Sequence, residues 1–337
     1  MNITNKNQRI FIAGSTGMVG SSIKRAILKK MDSREENAIL LTPSRKELNL
    51  LESKLVKNWF IKEKPTIVIL AAAKVGGILA NSKYPANFLI DNIKIQTNII
   101  ESSLSCGVKR LLFFGSSCIY PKHASQPIKE EELLSDYLEK TNECYAIAKI
   151  AGIKLIEALR NQFKFDAISL MPTNLYGPND NYHPTNSHVV ASLIRKFLIA
   201  KRDRLPSVTC WGSGSVYREF MHVDDLAEAS IFALENWDPN NDNAPLDESG
   251  EPLTWLNVGT GKDITIKNLA EMIAKVTSYD GEIIWDINKP DGVPQKLLDI
   301  SKLKDLGWHS KIELAHGLEV TYEQYKKELK EKTLRAK

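Results

Sequence analysis

The side chains best suited to chemistry gather in a few places along this chain. Leu111-Leu112-Phe113-Phe114 is an apolar run that reads as a buried strand. It stops abruptly in Gly115-Ser116-Ser117-Cys118-Ile119-Tyr120-Pro121, where hydroxyls and a thiol precede a turn. In an open α/β sheet the carboxyl end of a strand is where ligands sit. Taken alone, the stretch reads better as a strand running into a serine-rich turn. Two companions shift the balance: Tyr145 with Lys149, one helical turn apart and so on one face, and His188. A hydroxyl can hold a carbonyl oxygen, and a phenol beside an ammonium can donate a proton. A thiol and an imidazole can move protons near neutral pH.

The elements that must position these groups alternate strand and helix. Residues 9–13 form a strand candidate, followed by Gly14-Ser15-Thr16-Gly17-Met18-Val19-Gly20 and a helical pattern through Ile23, Ile27 and Leu28. Strand, glycine turn and helix is the context of a dinucleotide fingerprint, with helix amides facing a pyrophosphate. A second strand at 38–41 ends in Thr42-Pro43-Ser44-Arg45, with no carboxylate until Glu47. That favours a 2′-phosphate, hence NADP, over a bare ribose. A helix over 54–62, a strand over 66–70 entering Ala71-Ala72-Ala73-Lys74-Val75-Gly76-Gly77, and helices over 87–105 and 145–162 follow, then a strand over 167–171. The expected fold is α/β, a Rossmann-type doubly wound parallel sheet.

Beyond Met171 the pattern loosens. A loop over 172–187, a helix over 188–200, short strands near 208–211 and 217–221 and a helix from 223 to about 235 are expected. A polar, acidic loop covers 236–251. Strand 255–258, helix 266–276, strand 282–285 and a helix from 313 complete the chain, the last fraying into solvent from Tyr325 onward. Residues 1–175 with about 216–258 are assigned to an NADP-binding domain. About 176–215 with 259–337 form a smaller, mixed α/β substrate domain.

Composition sets bounds. The 337 residues suit about two domains, and 45 basic against 41 acidic residues give a net charge of +4, with no basic stripe to propose nucleic acid. Cys106, Cys118, Cys144 and Cys210 show no CxxC pairing, so neither a zinc site nor a disulfide framework is indicated. No stretch approaches a membrane span and the start has no leader pattern, so the cytoplasm is the expected location.

The glycine turn, Ser116, and Tyr145 with Lys149 together resemble the extended short-chain dehydrogenase/reductases that act on nucleotide sugars. The finer resemblance is to the GDP-L-fucose synthase family. It rests on Ala71 to Gly77, Gly115 to Pro121, Asn142-Glu143-Cys144-Tyr145 to Lys149, Met171-Pro172-Thr173-Asn174-Leu175-Tyr176-Gly177-Pro178 and Asn186-Ser187-His188-Val189. Trp211-Gly212-Ser213-Gly214, Arg218-Glu219-Phe220 and Lys289-Pro290-Asp291-Gly292 extend it over nearly the whole chain.

The resemblance implies a substrate, GDP-4-keto-6-deoxy-D-mannose, whose ketone acidifies both neighbouring carbons. Cys118 and His188 are similar to the family's base and acid for epimerisation at those carbons. Ser116, Tyr145 and Lys149 are similar to its reduction set. The implied NADP site comprises Gly14, Ser15, Thr16, Gly17, Met18, Val19, Gly20, Arg45, Leu50, Ala72, Ala73, Phe114, Gly115, Ser116, Tyr145, Lys149, Pro172, Asn174, Leu175 and His188. The implied substrate site comprises Ser117, Cys118, Asn174, Lys196, Trp211, Arg218 and Asp291, with no metal. The family usually carries His-Arg where this chain has Ser15-Thr16, which predicts weaker discrimination against NADH. A homodimer packed through the helices over 87–105 and 145–162 is also implied. The alternatives are another nucleotide-sugar epimerase or 4-reductase of this family, or a non-catalytic NADPH-sensing scaffold.

Overall fold

A computed structural model describes residues 1–289 and 291–336, so Pro290 of the Lys289-to-Gly292 stretch lies outside the described residues. Along the chain, β1 (Arg9–Ala13) leads to α1 (Met18–Arg34), β2 (Ile39–Leu41), α2 (Ser53–Glu63), β3 (Ile67–Leu70), α3 (Ile78–Lys83) and α4 (Pro85–Ser105). Next come β4 (Arg110–Phe114), α5 (Glu143–Phe163), β5 (Ala167–Pro172), β6 (Asn174–Tyr176), α6 (Val189–Arg202), β7 (Ser207–Trp211) and β8 (Tyr217–His222). Then follow α7 (Val223–Asn236), β9 (Trp255–Val258), β10 (Asp263–Thr265), α8 (Ile266–Thr277) and β11 (Glu282–Asp286). The last are β12 (Gln295–Lys296), α9 (Ser301–Asp305) and α10 (Leu314–Glu331).

Six strands form one parallel sheet in the order β2-β1-β3-β4-β5-β9. Its strands are nearly continuous apolar runs because both faces are covered. Along β1, Ile10 and Ile12 face α1 and α7, whereas Phe11 and Ala13 face α2, α4 and α5. The same alternation in β3, β4 and β5 builds two cores, one on each side of the sheet. Since β2 and β3 lie on opposite sides of β1, the chain reverses direction there. The crevice at the carboxyl ends of β1 and β3 is the ligand position of this architecture.

The remaining elements gather around a third core, in which α6, α8 and α10 surround Phe197, Phe220 and Tyr322. Here β8 pairs in parallel with β6 and β12 and antiparallel with β10, while β7 pairs in parallel with β11. The stretch from 172, read from sequence as a loop, therefore contains β6. Such two- and three-residue strands exist because β8 offers them a partner; they carry no period of their own.

The chain end also departs from expectation. Instead of fraying from Tyr325, α10 continues to Glu331. Tyr325 is 3% exposed, with its ring 4.4 Å from that of Tyr182. Beyond the helix, the carbonyl of Arg335 accepts a hydrogen bond from the Tyr182 amide at 2.8 Å, which fastens the last residues to the 179–182 loop. Apolar rings among the lysines and glutamates give this segment something to bury.

Candidate active site

At the end of β1 the chain turns through Gly14 with φ +84°, and a Cβ there would sit 2.8 Å from the Ala72 backbone. Only glycine permits both that φ and that approach. Gly20, in the first turn of α1, lies so close that a side chain would strike the Gly14 carbonyl. Gly17 precedes α1 without a side-chain cap, so the first-turn amides stay available to an anion. The cradle fits a dinucleotide pyrophosphate. Ser15 is buried, and Thr16, Met18 and Val19 complete the turn. Ala72 and Ala73 leave the end of β3 flat and partly open.

Arg45 is exposed after β2, with no ion pair among the described residues. Glu47, the carboxylate closest to it in sequence, is engaged elsewhere: it accepts the Ser44 amide at 2.7 Å, and its own amide donates to the Ser44 hydroxyl at 3.4 Å. Those bonds hold Glu47 below its ordinary carboxylate range. The loop thus keeps an uncompensated guanidinium. Leu50 is half-buried against the α2/α4 core, its carbonyl bound by Asn98 at 2.8 Å.

The second wall begins where β4 ends, at Phe114 and Gly115, both buried. Ser116 caps a short 3₁₀ turn, Ser117–Ile119, its hydroxyl accepting the Cys118 amide at 3.3 Å. Ser117 is 3% exposed and faces inward. Helix α5 lays Ala146, Lys149, Ile150 and Ile153 along its buried stripe. Tyr145 is hydrogen-bonded to Ser116, and Cys118 is near enough to act on its phenol electrostatically. Burial pushes that phenol well up, the sulfur adds to the effect and the Ser116 bond opposes it. Lys149 lies under Tyr145, 4.7 Å above the Phe113 ring, and donates to the Phe114 carbonyl at 2.8 Å. Burial pushes its ammonium down to about 7.

The thiol has company that the sequence did not disclose. Lys296 Nζ stands 3.7 Å from Cys118 Sγ. Lys296 is opposite Arg218 in the parallel β12–β8 register, and Arg218 also senses the sulfur. Two cations therefore approach Cys118 from strands about 100 and 180 residues downstream. Asp291 receives a bond from Arg218 Nη2 on its carbonyl (3.2 Å), and its carboxylate accepts the Ser213 amide (2.7 Å).

Further out, Trp211 ends β7 and is 46% exposed. Lys196 Nζ lies 5.4 Å and Lys289 Nζ 5.6 Å from the ring centroid. Lys196 also donates to the Thr209 carbonyl at 2.9 Å. An aromatic plate with two ammonium groups over it suits a base and its phosphates.

At the opposite end, Pro172 closes β5, and Asn174 and Leu175 lie on β6, with Asn174 Nδ2 bonded to the Glu219 carbonyl at 2.8 Å. His188 immediately precedes α6, exposed. The segment leading to it is tied to the β3 loop by a bond from the Gly77 amide to the Asn186 carbonyl at 3.3 Å. No hydrogen bond or ion pair joins the His188 ring to Cys118 among the described residues. A cleft of about 260 Å³, lined by Asn81, Pro85, Asn142 and Tyr145 among others, lies between α3 and α5.

The structure thus unites Ser116, Cys118, Tyr145, Lys149 and Arg218, seats the glycine turn beside Ala72, and sets His188, exposed at the head of α6, within electrostatic reach of buried Asp180. Sequence reading missed Lys296, and it had Lys289 only as part of the Lys289-to-Gly292 motif, without its place over Trp211. The only available signal was their position around the Asp291-Gly292 turn.

The arrangement finds close counterparts. Residues 10–244 match the NAD dependent epimerase/dehydratase family. A putative GDP-L-fucose synthase 2 of Arabidopsis thaliana is 53% identical over 95% of this chain and 92% of its own length. The GDP-L-fucose synthase of Escherichia coli is 51% identical over 94% of this chain and 96% of its own. A GDP-mannoheptose C4 reductase from Campylobacter jejuni, solved with NADP bound, is 34% identical, covers 96% of this chain and 99% of its own, and has a TM-score of 0.82. The match over most of the chain, together with relatives sharing half of its residues along nearly their whole length, places it in the NAD dependent epimerase/dehydratase family and, within that family, among the GDP-L-fucose synthases.

Proposed function

We propose that this protein converts GDP-4-keto-6-deoxy-D-mannose into GDP-L-fucose, epimerising C3 and C5 and then reducing the C4 ketone with NADPH. The observation that carries the reading is the position of Cys118. Its thiol lies beside the Ser116–Tyr145 pair on one side and the Lys296 and Arg218 cations on the other.

The ketone acidifies the hydrogens on its two neighbouring carbons. Cys118, as the anion, takes such a proton, and the Ser116 hydroxyl holds the oxygen on which charge develops. His188, at the head of α6, returns a proton to the opposite face, which inverts the carbon. The tie between Gly77 and Asn186 supports its place at the rim of the same crevice.

NADPH, when bound, supplies the hydride for C4, and the Gly14–Gly20 cradle, Ala72, Ala73 and Arg45 would hold it. Tyr145 keeps its proton because its burial disfavours the phenolate, so it stands ready to protonate the alkoxide. Lys149, pushed down to about 7, exchanges protons near neutrality and resupplies the phenol. Trp211, Lys196, Arg218 and Asp291 hold the nucleotide end, leaving the sugar to point toward Cys118.

The same reading assigns residues 1–175 and about 216–258 to the cofactor half, and about 176–215 with 259–337 to the substrate half, with β8 at the boundary. It makes the protein a homodimer through α4 and α5. Ile90 (50% exposed), Ile93 (37%) and Ile147 (42%) on those helices support that. No helix among the described residues is long and apolar enough to cross a membrane. Four unpaired cysteines support a reducing cytoplasm.

The test is to incubate the purified protein with GDP-4-keto-6-deoxy-D-mannose and NADPH in D₂O and to identify the sugar by NMR. GDP-L-fucose deuterated at C3 and C5 is expected. A reduced sugar that keeps its original configuration and carries no deuterium at either carbon would limit the protein to ketone reduction.

A further inference from the structure

The glycine turn that holds the cofactor has a neighbour from the far end of the chain. Past α10, residues 333–336 lie against Thr16, Gly17 and Asn179 and enclose a cleft with them. Arg335 Nη1 stands 3.7 Å from where a side chain on Gly17 would begin. The residue is anchored: its carbonyl accepts the Tyr182 amide at 2.8 Å, and Nη1 reaches the Asn179 carbonyl at 3.4 Å.

A guanidinium has five donors, and among the described residues this one makes a single long bond. Among the described residues the acidic groups around it are Asp180, which senses it, and Glu328, which acts on Asp180 and accepts the Asn179 amide at 3.3 Å. Neither forms an ion pair with Arg335 among the described residues. An arginine without a carboxylate partner among the described residues, at the mouth of a strand–glycine–helix turn, meets the geometry for a phosphate.

We propose that Arg335 is a cofactor-binding residue, contributing its guanidinium to a phosphate of NADPH from the C-terminal tail. This rests on the NADPH reading above. The amides of α1 already serve the pyrophosphate. The turn itself carries no cation between Gly14 and Gly20, so an arginine arriving from elsewhere completes the electrostatics of the site. The segment after α10 thereby becomes part of the cofactor pocket.

Binding, measured by calorimetry on the full-length protein, tests this apart from turnover. The titrants are NADPH, NADH and 2′,5′-ADP, applied to the unaltered protein, Arg335→Ala and Arg335→Lys. Loss of the guanidinium should weaken NADPH by about tenfold or more, with the lysine variant between. If NADPH and 2′,5′-ADP weaken while NADH does not, the partner is the 2′-phosphate. If NADPH and NADH weaken equally, it is the pyrophosphate. Unchanged affinity for all three in Arg335→Ala overturns the proposal while the NADPH reading stands. Failure of the unaltered protein to bind NADPH overturns the NADPH reading and this proposal with it. A circular dichroism spectrum matching the unaltered protein guards against a folding defect in the variants.

Discussion

Lys296 Nζ and Cys118 Sγ lie 3.7 Å apart, brought together by β12 pairing with β8 in a register that sets Lys296 opposite Arg218. A thiol removes protons from carbon only as its anion, and an ammonium at this distance stabilises that anion. Lys296→Met is expected to slow solvent deuterium entry at C3 and C5 about tenfold or more, with Lys296→Arg losing less. NMR of the ketosugar without NADPH measures this step alone. An unchanged rate would show that Lys296 takes no part in the exchange step.

Cys118→Ser should abolish exchange, since a hydroxyl is a far poorer anion than a thiol at neutral pH. Full retention of exchange in that variant refutes the base role.

Tyr145→Phe separates the two reactions. It keeps the ring against Phe88, 6.4 Å between centroids, but removes the proton donor bound to Ser116. Reduction followed by NADPH absorbance should fall about 10²–10⁴-fold while deuterium exchange continues. Loss of both in parallel would show that the phenol serves the epimerisation as well.

Glu130 links stability to pH. It is 1% exposed, accepts the Asn257 amide at 2.9 Å, and burial pushes it up to about 7. Its charged form is penalised in the folded state. The penalty is absent below about 4.5, the ordinary value, grows as pH rises toward 7 and is complete above it. Glu130→Gln should therefore match the unaltered protein near pH 4.5 and exceed it by about 3 kcal/mol at pH 8. Urea unfolding at the two pH values checks the sign; a variant less stable at pH 8 contradicts it.

Trp211→Ala removes the indole plate that Lys196 and Lys289 approach. KM for the GDP-sugar should rise several-fold, consistent with about 1 kcal/mol for an aromatic contact, with kcat little changed. A fall in kcat alone would place Trp211 away from the nucleotide.

The central sheet was legible because its strands are apolar runs separated by helix-period stretches, and because Gly14, Gly17 and Gly20 interrupt them at a fixed spacing. Ser116, Tyr145 and Lys149 could be named in advance, since a strand end and a single helical turn place them locally. What the residue order alone did not determine is everything set by pairing across long separations. β6, β10 and β12 are too short to show a period, and β8 gives them their existence. Lys296 reaches Cys118 only through that small sheet. The end of α10, polar in composition, is held by Tyr325 against Tyr182, and this carries Arg335 back to the first glycine turn. Local sequence thus determines the strand, the helix and the turn. The partners of a thiol or a guanidinium are decided by the packing of segments a hundred or more residues apart, whose contacts leave no periodic trace in either one.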